Sequence, residues 1–229
     1  MLLPLTLPAL LVALAGDSVV YPVLNHGRVA GSMVVGHNGD TVIVRYVFTD
    51  RNRGARLQTR YVIRDGRPVF IESRPVLADD RIGDATSRLE IVADSVRRWT
   101  PKKTSAAPLD PDMYDGTMST PYDDLAIIRF LQHRPQHSGK LAEPKATIRL
   151  EVVRELTVPT SYGKERVRLA AIHFDPGETP ELVWLDSHDE LFSTNVGWFM
   201  TVKPGAEPAL PTLRKIETEY HDRRAEALN

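Results

Sequence analysis

The chain has 229 residues, 42% of them hydrophobic, with a formal net charge of −1. That suffices for one large domain, or for one domain plus an appendage, while the interleaved acids and bases exclude the basic field a nucleic-acid binder needs. Cysteine is absent, which removes disulfides, a thiol nucleophile, thiolate metal sites and a lipid-anchored amino-terminal cysteine.

The first sixteen residues, MLLPLTLPALLVALAG, carry no charged side chain. Ala13-Leu14-Ala15 supplies the small-x-small pattern that a signal peptidase cuts. The run is short for a membrane span, and Pro4 and Pro8 weaken a spanning helix. We read residues 1–15 as a secretory signal peptide, with positive charge supplied only by the amino terminus. No stable membrane span is expected once it is removed. The mature chain is then expected outside the cytoplasm, in a bacterial periplasm or secreted, and the lack of cysteine is compatible with that.

Residues 28–48 alternate apolar and polar side chains around His37-Asn38-Gly39-Asp40. Asn-Gly is a strong hairpin signal because both central residues of a type I′ turn need positive φ. On the second arm Val42, Val44, Tyr46 and Phe48 form the expected core face. Asp50-Arg51-Asn52-Arg53-Gly54 is a polar connection. A strand follows over 56–64, with Leu57, Thr59, Tyr61 and Ile63 on one side. Asp65-Gly66 turns into Pro68–Glu72, where a proline at a strand start costs little. Residues 86–93 and 95–99 read as a further pair.

Between Thr100 and Pro121 the alternation fades, and four prolines predict an ordered loop or crossover. Thr120-Pro121-Tyr122-Asp123 reads as a helix start, with a capping hydroxyl, Pro at the first helical position and acids in the first turn. Leu125, Ile128 and Leu131 carry the helix on to Pro135. Strands resume at 146–157, 165–174, 181–186 and 190–202, with Ser187-His188-Asp189 turning between the last two. From about Pro211 a charged helix is expected, with Leu213, Ile216 and Tyr220 as a narrow apolar stripe.

These elements predict a mainly β (α+β) fold. Tight hairpins dictate antiparallel pairing, and nine or ten strands exceed what a flat sheet holds. A strongly curled meander or half-barrel over 20–205 follows, with a covering helix near 121–134 and a charged helix or linker over 208–229.

Chemistry has few places to stand. A G-x-S-x-G elbow and glycine-rich phosphate loops are absent. None of the seven histidines forms an H-x-H pair. His133 and His137 have i,i+4 spacing, but Pro135 between them breaks the helix that would aim both at one ion. His37 and His188 belong to turns, and His173 to a strand. We expect no metal site, no cofactor and no catalytic residue. Asp123 and Asp124, one of several carboxylate pairs, are explained by the helix dipole. The candidate contacts are Trp184, Trp198 and Phe199, as core packing or ligand lining, and Arg51 and Arg53, as a solvated connection, a carboxylate grip or an inter-domain ion pair.

Three stretches carry a family likeness: Asp50, Arg51, Arg53 and Gly54; Asp65, Gly66, Pro68 and Val69; and Trp184, Leu185, Asp186, Leu191, Phe192, Trp198 and Phe199. With them the chain, over about residues 20–225, resembles the β-rich amino-terminal domain that precedes the metal-dependent barrel in secreted bacterial amidohydrolases of the imidazolonepropionase-like group. The barrel's H-x-H ligands, bridging lysine and later His and Asp have no counterparts in these residues. The resemblance therefore implies association with such a hydrolase barrel rather than hydrolysis by this chain. The alternative is a periplasmic module holding an apolar or peptide ligand in a curled sheet. An independent hydrolase has the least support.

Overall fold

The computed structural model describes residues 17–51, 53–175, 179–194 and 199–228. The expected signal peptide and Trp198 lie outside the described residues.

Among the described residues the strands form one fifteen-stranded sheet, which the chain enters in the middle and builds outward by hairpins. The first arm comprises β1 (Ser18–Asn25), β2 (Arg28–Asn38), β3 (Thr41–Phe48), β4 (Arg56–Arg64), β5 (Arg67–Pro75), β6 (Ser87–Val92), β7 (Ser95–Thr100) and β8 (Lys103–Pro108). The chain then crosses to the opposite edge and walks back. The second arm comprises β9 (Met113–Tyr114), β10 (Ser138–Leu141), β11 (Ala146–Thr160), β12 (Gly163–Asp175), β13 (Glu181–Asp186), β14 (Leu191–Thr194) and β15 (Phe199–Val202). β15 pairs with β1 and joins the arms. Every pairing is antiparallel except β9 with β10, which is parallel. Parallel neighbours need a crossover, and here it carries the helix α1 (Pro121–Gln132).

The strand count corrects the sequence expectation of nine or ten. β1 lies ahead of the first expected hairpin, and β8, β9 and β10 carry too little apolar alternation for a reading built on that pattern to find them. The stretch 190–202 is two strands, β14 and β15, paired antiparallel rather than one continuous strand.

The predicted faces hold. Val42, Val44 and Tyr46 are buried on the inner side of β3, and Thr59 and Tyr61 are inaccessible on β4. The first hairpin turns at Gly39-Asp40 and not at Asn38-Gly39, because Asn38 is still in β2 and pairs with Thr41. Of Asn38, Gly39 and Asp40, Gly39 alone has positive φ (+56°), with nothing near its missing Cβ, so the two positive φ values of a type I′ turn are not both present. Gly54 is required for space as well, since a Cβ there would lie 2.1 Å from the Phe48 carbonyl oxygen.

Inner-facing residues of both arms close around α1. Leu125, Ile128 and Leu131, the predicted helical stripe, are almost inaccessible and share one core with Tyr61, Tyr114, Tyr122 and Phe130. A second core lies on the outer side of β1 and β11–β15. There the helix α2 (Leu210–Leu228) buries Leu213, Ile216 and Tyr220 against Trp184, Phe192 and Met200. α2 thus covers the outer face of one arm only.

The sheet is not closed, because β8 and β9 are its two ends and do not pair. A side-chain latch bridges them instead. Arg67 on β5 and Arg98 on β7 both donate to the buried carboxylate of Asp115, just beyond β9. Arg67 Nη2 lies 2.8 Å from it and also donates to the carbonyls of Asp110 and Met113. The latch shows how far the sheet curls, since it ties strands near one edge to a loop at the other.

Candidate functional site

Trp184 is fully buried, and its indole N–H donates to Glu217 Oε1 on α2 at 2.7 Å. It pins the terminal helix to the sheet and has no exposed surface. Phe199 is half-buried, its ring 5.0 Å from that of Phe48. Phe48 in turn packs on Tyr46 at 5.2 Å. Arg51 and Arg53 are exposed on the β3–β4 connection. The loop is closed by reciprocal backbone bonds between Asp50 and Arg53, at 2.5 and 2.8 Å. Asn25, opposite Phe199 in the β1–β15 register, donates its amide to Asp50. The structure therefore gathers Arg51, Arg53 and Phe199 at one end of the sheet and places Trp184 apart, on the outer side under α2.

The resemblance-bearing Asp186 is equally structural. Its carboxylate accepts the backbone N–H of His188 (2.8 Å) and Glu190 (3.0 Å) and a bond from Lys203 Nζ (2.8 Å). Burial pushes this carboxyl up, but Lys203 and the two amides outweigh it and hold it below the usual carboxylate range.

Inside the curl the start of α1 gathers carboxyls that the sequence reading assigned only to the helix dipole. Asp123 has no exposed surface. Its Oδ2 accepts from the Thr120 N–H (2.8 Å), the Ser119 N–H (2.9 Å) and the Thr120 hydroxyl (3.1 Å). Its Oδ1 accepts the Tyr61 hydroxyl at 2.9 Å. Thr120 and Asp123 thus form a capping box, with the Asp123 carboxylate reaching back to the Thr120 backbone N–H and also accepting its hydroxyl. Burial raises Asp123 to about 6, against the opposing pull of these four donors. Asp124 is recessed and its carboxyl is pushed well above its ordinary value by burial, then by Glu181 and Asp123. Burial likewise drives the Tyr61 and Tyr114 hydroxyls well up. A carboxyl held protonated near neutrality can serve as a general acid. Asp123 is sealed from solvent and spent on the helix start, so it has no route to a substrate.

A polar notch of 260 Å³ opens near the mouth of β4–β6, lined by Arg56, Ser73, Arg74, Thr86, Ser87 and Ser119. Its two cations are engaged already. Arg56 donates to the carbonyls of Val76 and Leu77 and to Asp80, and Arg74 donates to Glu72.

The histidines follow the same pattern. His133 Nδ1 lies 2.7 Å from the Arg129 carbonyl oxygen, and His173 Nε2 lies 2.6 Å from Glu151. Among the described residues, no three His, Asp or Glu side chains are arranged to hold a metal ion. No helix is long and apolar enough to cross a membrane among the described residues. The chain matches no protein-family model, no curated protein and no solved structure.

Proposed function

We propose that this chain is a non-catalytic accessory module of a secreted, metal-dependent amidohydrolase-type hydrolase, packing on the catalytic barrel and shaping access to it. The observation that carries the reading is where three buried carboxylates are spent. Asp115 latches the sheet, Asp123 caps α1 and Asp186 holds the β13–β14 turn. Residues that carry the family likeness are framework too: Asp50 and Arg53 close a loop, and Trp184 anchors α2. A domain built this way presents surface to a partner and keeps its interior for itself.

The carrier reading has less support. Leu125, Ile128 and Leu131 of α1 occupy the side of the sheet where an apolar or peptide ligand would sit. Such a ligand would have to displace the helix and uncover that core.

The test is co-elution. The purified chain, mixed with the metal-loaded barrel of a secreted imidazolonepropionase-like amidohydrolase, is expected to migrate with the barrel on size exclusion. Separate elution at concentrations well above micromolar would contradict the proposal.

A further inference from the structure

α2 leaves the outer face of β3–β7 bare, and its side chains fall into cross-strand rows. One row runs Ile43, Arg60, Glu72, Arg88, Trp99. The next runs Val62, Phe70, Glu90, Arg97. Arg74 lies beside them, opposite Gln58. With Arg45, which is ion-paired to Asp80 at 2.8 Å, five arginines face three carboxylates there, Glu72, Glu90 and Asp80, in a chain whose net charge is −1.

This array is held in place. The Arg60 guanidinium lies 4.8 Å from the Phe70 ring centre, and that of Arg88 lies 5.8 Å from Trp99 and 6.0 Å from Phe70. Glu72 is buried beneath them, joined to Arg74 Nε at 2.9 Å and to Arg88 Nε at 3.0 Å. Burial pushes that carboxyl up, but Arg88 and Arg74 outweigh it and hold it below its ordinary range. Stacking on Phe70 and Trp99 and pairing with Glu72 hold the Arg60, Arg74 and Arg88 side chains in place. Arg60 and Arg97 are exposed and have no ion-pair partner among the described residues.

We propose that the outer face of β3–β7 is the docking surface for an acidic protein partner. Arg60 and Arg88 stand two strands apart, so the carboxylates that pair with them lie about 10 Å apart. Three features select a protein among polyanions. The Phe70 and Trp99 rings already carry guanidinium groups, so stacking onto sugars or bases is not what the face is built for. Glu90 interrupts the positive field, which suits a partner with discrete charges and repels a uniform phosphate lattice. The face is the convex side of a curled sheet, which a planar bilayer touches along one ridge only. The inference rests on the accessory-module reading for the existence of a protein partner; the location of the face does not depend on that partner being a hydrolase.

The test uses poly-L-glutamate as the acidic polypeptide, followed by fluorescence anisotropy at low salt. Arg60→Gln/Arg97→Gln changes two exposed side chains, and an unchanged melting temperature confirms that it folds. Arg223→Gln on α2 is the control. The double variant is expected to bind about tenfold more weakly, the control as wild type, and wild-type binding is expected to fall as salt rises. Equal binding by all three proteins, or none by wild type, overturns the proposal. Tighter binding to phosphatidylglycerol vesicles than to poly-L-glutamate overturns the assignment to protein. The amidohydrolase barrel separates the two readings. A barrel that co-elutes equally with wild type and double variant overturns this face and leaves the accessory reading standing. Arginine-dependent poly-L-glutamate binding with no barrel association supports the face and overturns the accessory reading.

Discussion

Asp123→Asn isolates the buried carboxyl at the start of α1. In the folded chain burial lifts this carboxyl from 3.8 to about 6. A carboxyl raised on folding binds its proton more tightly in the native state. Its contribution favours folding below the unfolded value, near pH 4, and is lost as pH rises through about 6. At about 1.4 kcal/mol per unit, the wild type loses about 3 kcal/mol across that window. The asparagine variant has nothing to titrate there. Its amide oxygen can still accept the Ser119 and Thr120 N–H groups, and its amide N–H can donate to the Tyr61 oxygen. Urea unfolding of both proteins from about pH 4 to pH 7, followed by tryptophan fluorescence, reads the difference. Relative to wild type, the variant is expected to gain about 3 kcal/mol as pH rises. Asp124 titrates in both proteins, so most of its contribution cancels. A stability difference that stays flat over this range would refute burial as the origin of the shift.

Three further substitutions probe the frame. Asp115→Ala removes the latch and leaves Arg67 buried opposite no carboxylate. Its carbonyl partners and the partial exposure of Arg98 soften the loss to about 2–4 kcal/mol, read as a lower melting temperature by near-ultraviolet circular dichroism. Trp184→Phe deletes a buried hydrogen bond to Glu217; it is expected to cost about 2–3 kcal/mol and to speed amide exchange along α2 before the rest of the sheet. Gly39→Val forces a β-branched residue into φ +56°, with an expected loss of about 1–3 kcal/mol in urea and no packing clash to confuse the reading.

Local patterns made much of this fold legible. Asp65-Gly66 is the pair that joins β4 to β5, and Asn38-Gly39 marks its hairpin one residue early, since Gly39-Asp40 joins β2 to β3. The alternation in β3 and β4 correctly separated inner from outer residues. Pro121 and the stripe Leu125, Ile128, Leu131 located α1, and Leu213, Ile216, Tyr220 located the buried side of α2. What stayed hidden depends on distant pairing. Met113 and Tyr114 become a strand only because β10 returns beside them after a helical crossover. Asp115 reads as an ordinary loop acid, since neither Arg67 nor Arg98 is near it in sequence. Trp184 was weighed as a possible ligand contact because sequence does not say which side of the sheet α2 covers. The arginine rows were visible as alternate positions, in Phe70-x-Glu72-x-Arg74 and Arg97-x-Trp99. A reading that follows apolar faces to the core passes over the opposite, charged face.

A turnover assay is the most direct test of a framework that leaves chemistry to its partner. The metal-loaded amidohydrolase barrel is assayed with and without the purified chain, and the chain is assayed alone with added zinc. The expected result is no hydrolysis by the chain and a changed kcat/KM for the barrel when the chain is bound. Hydrolysis by the chain alone, lost on Asp124→Asn in a variant that still folds, would contradict it.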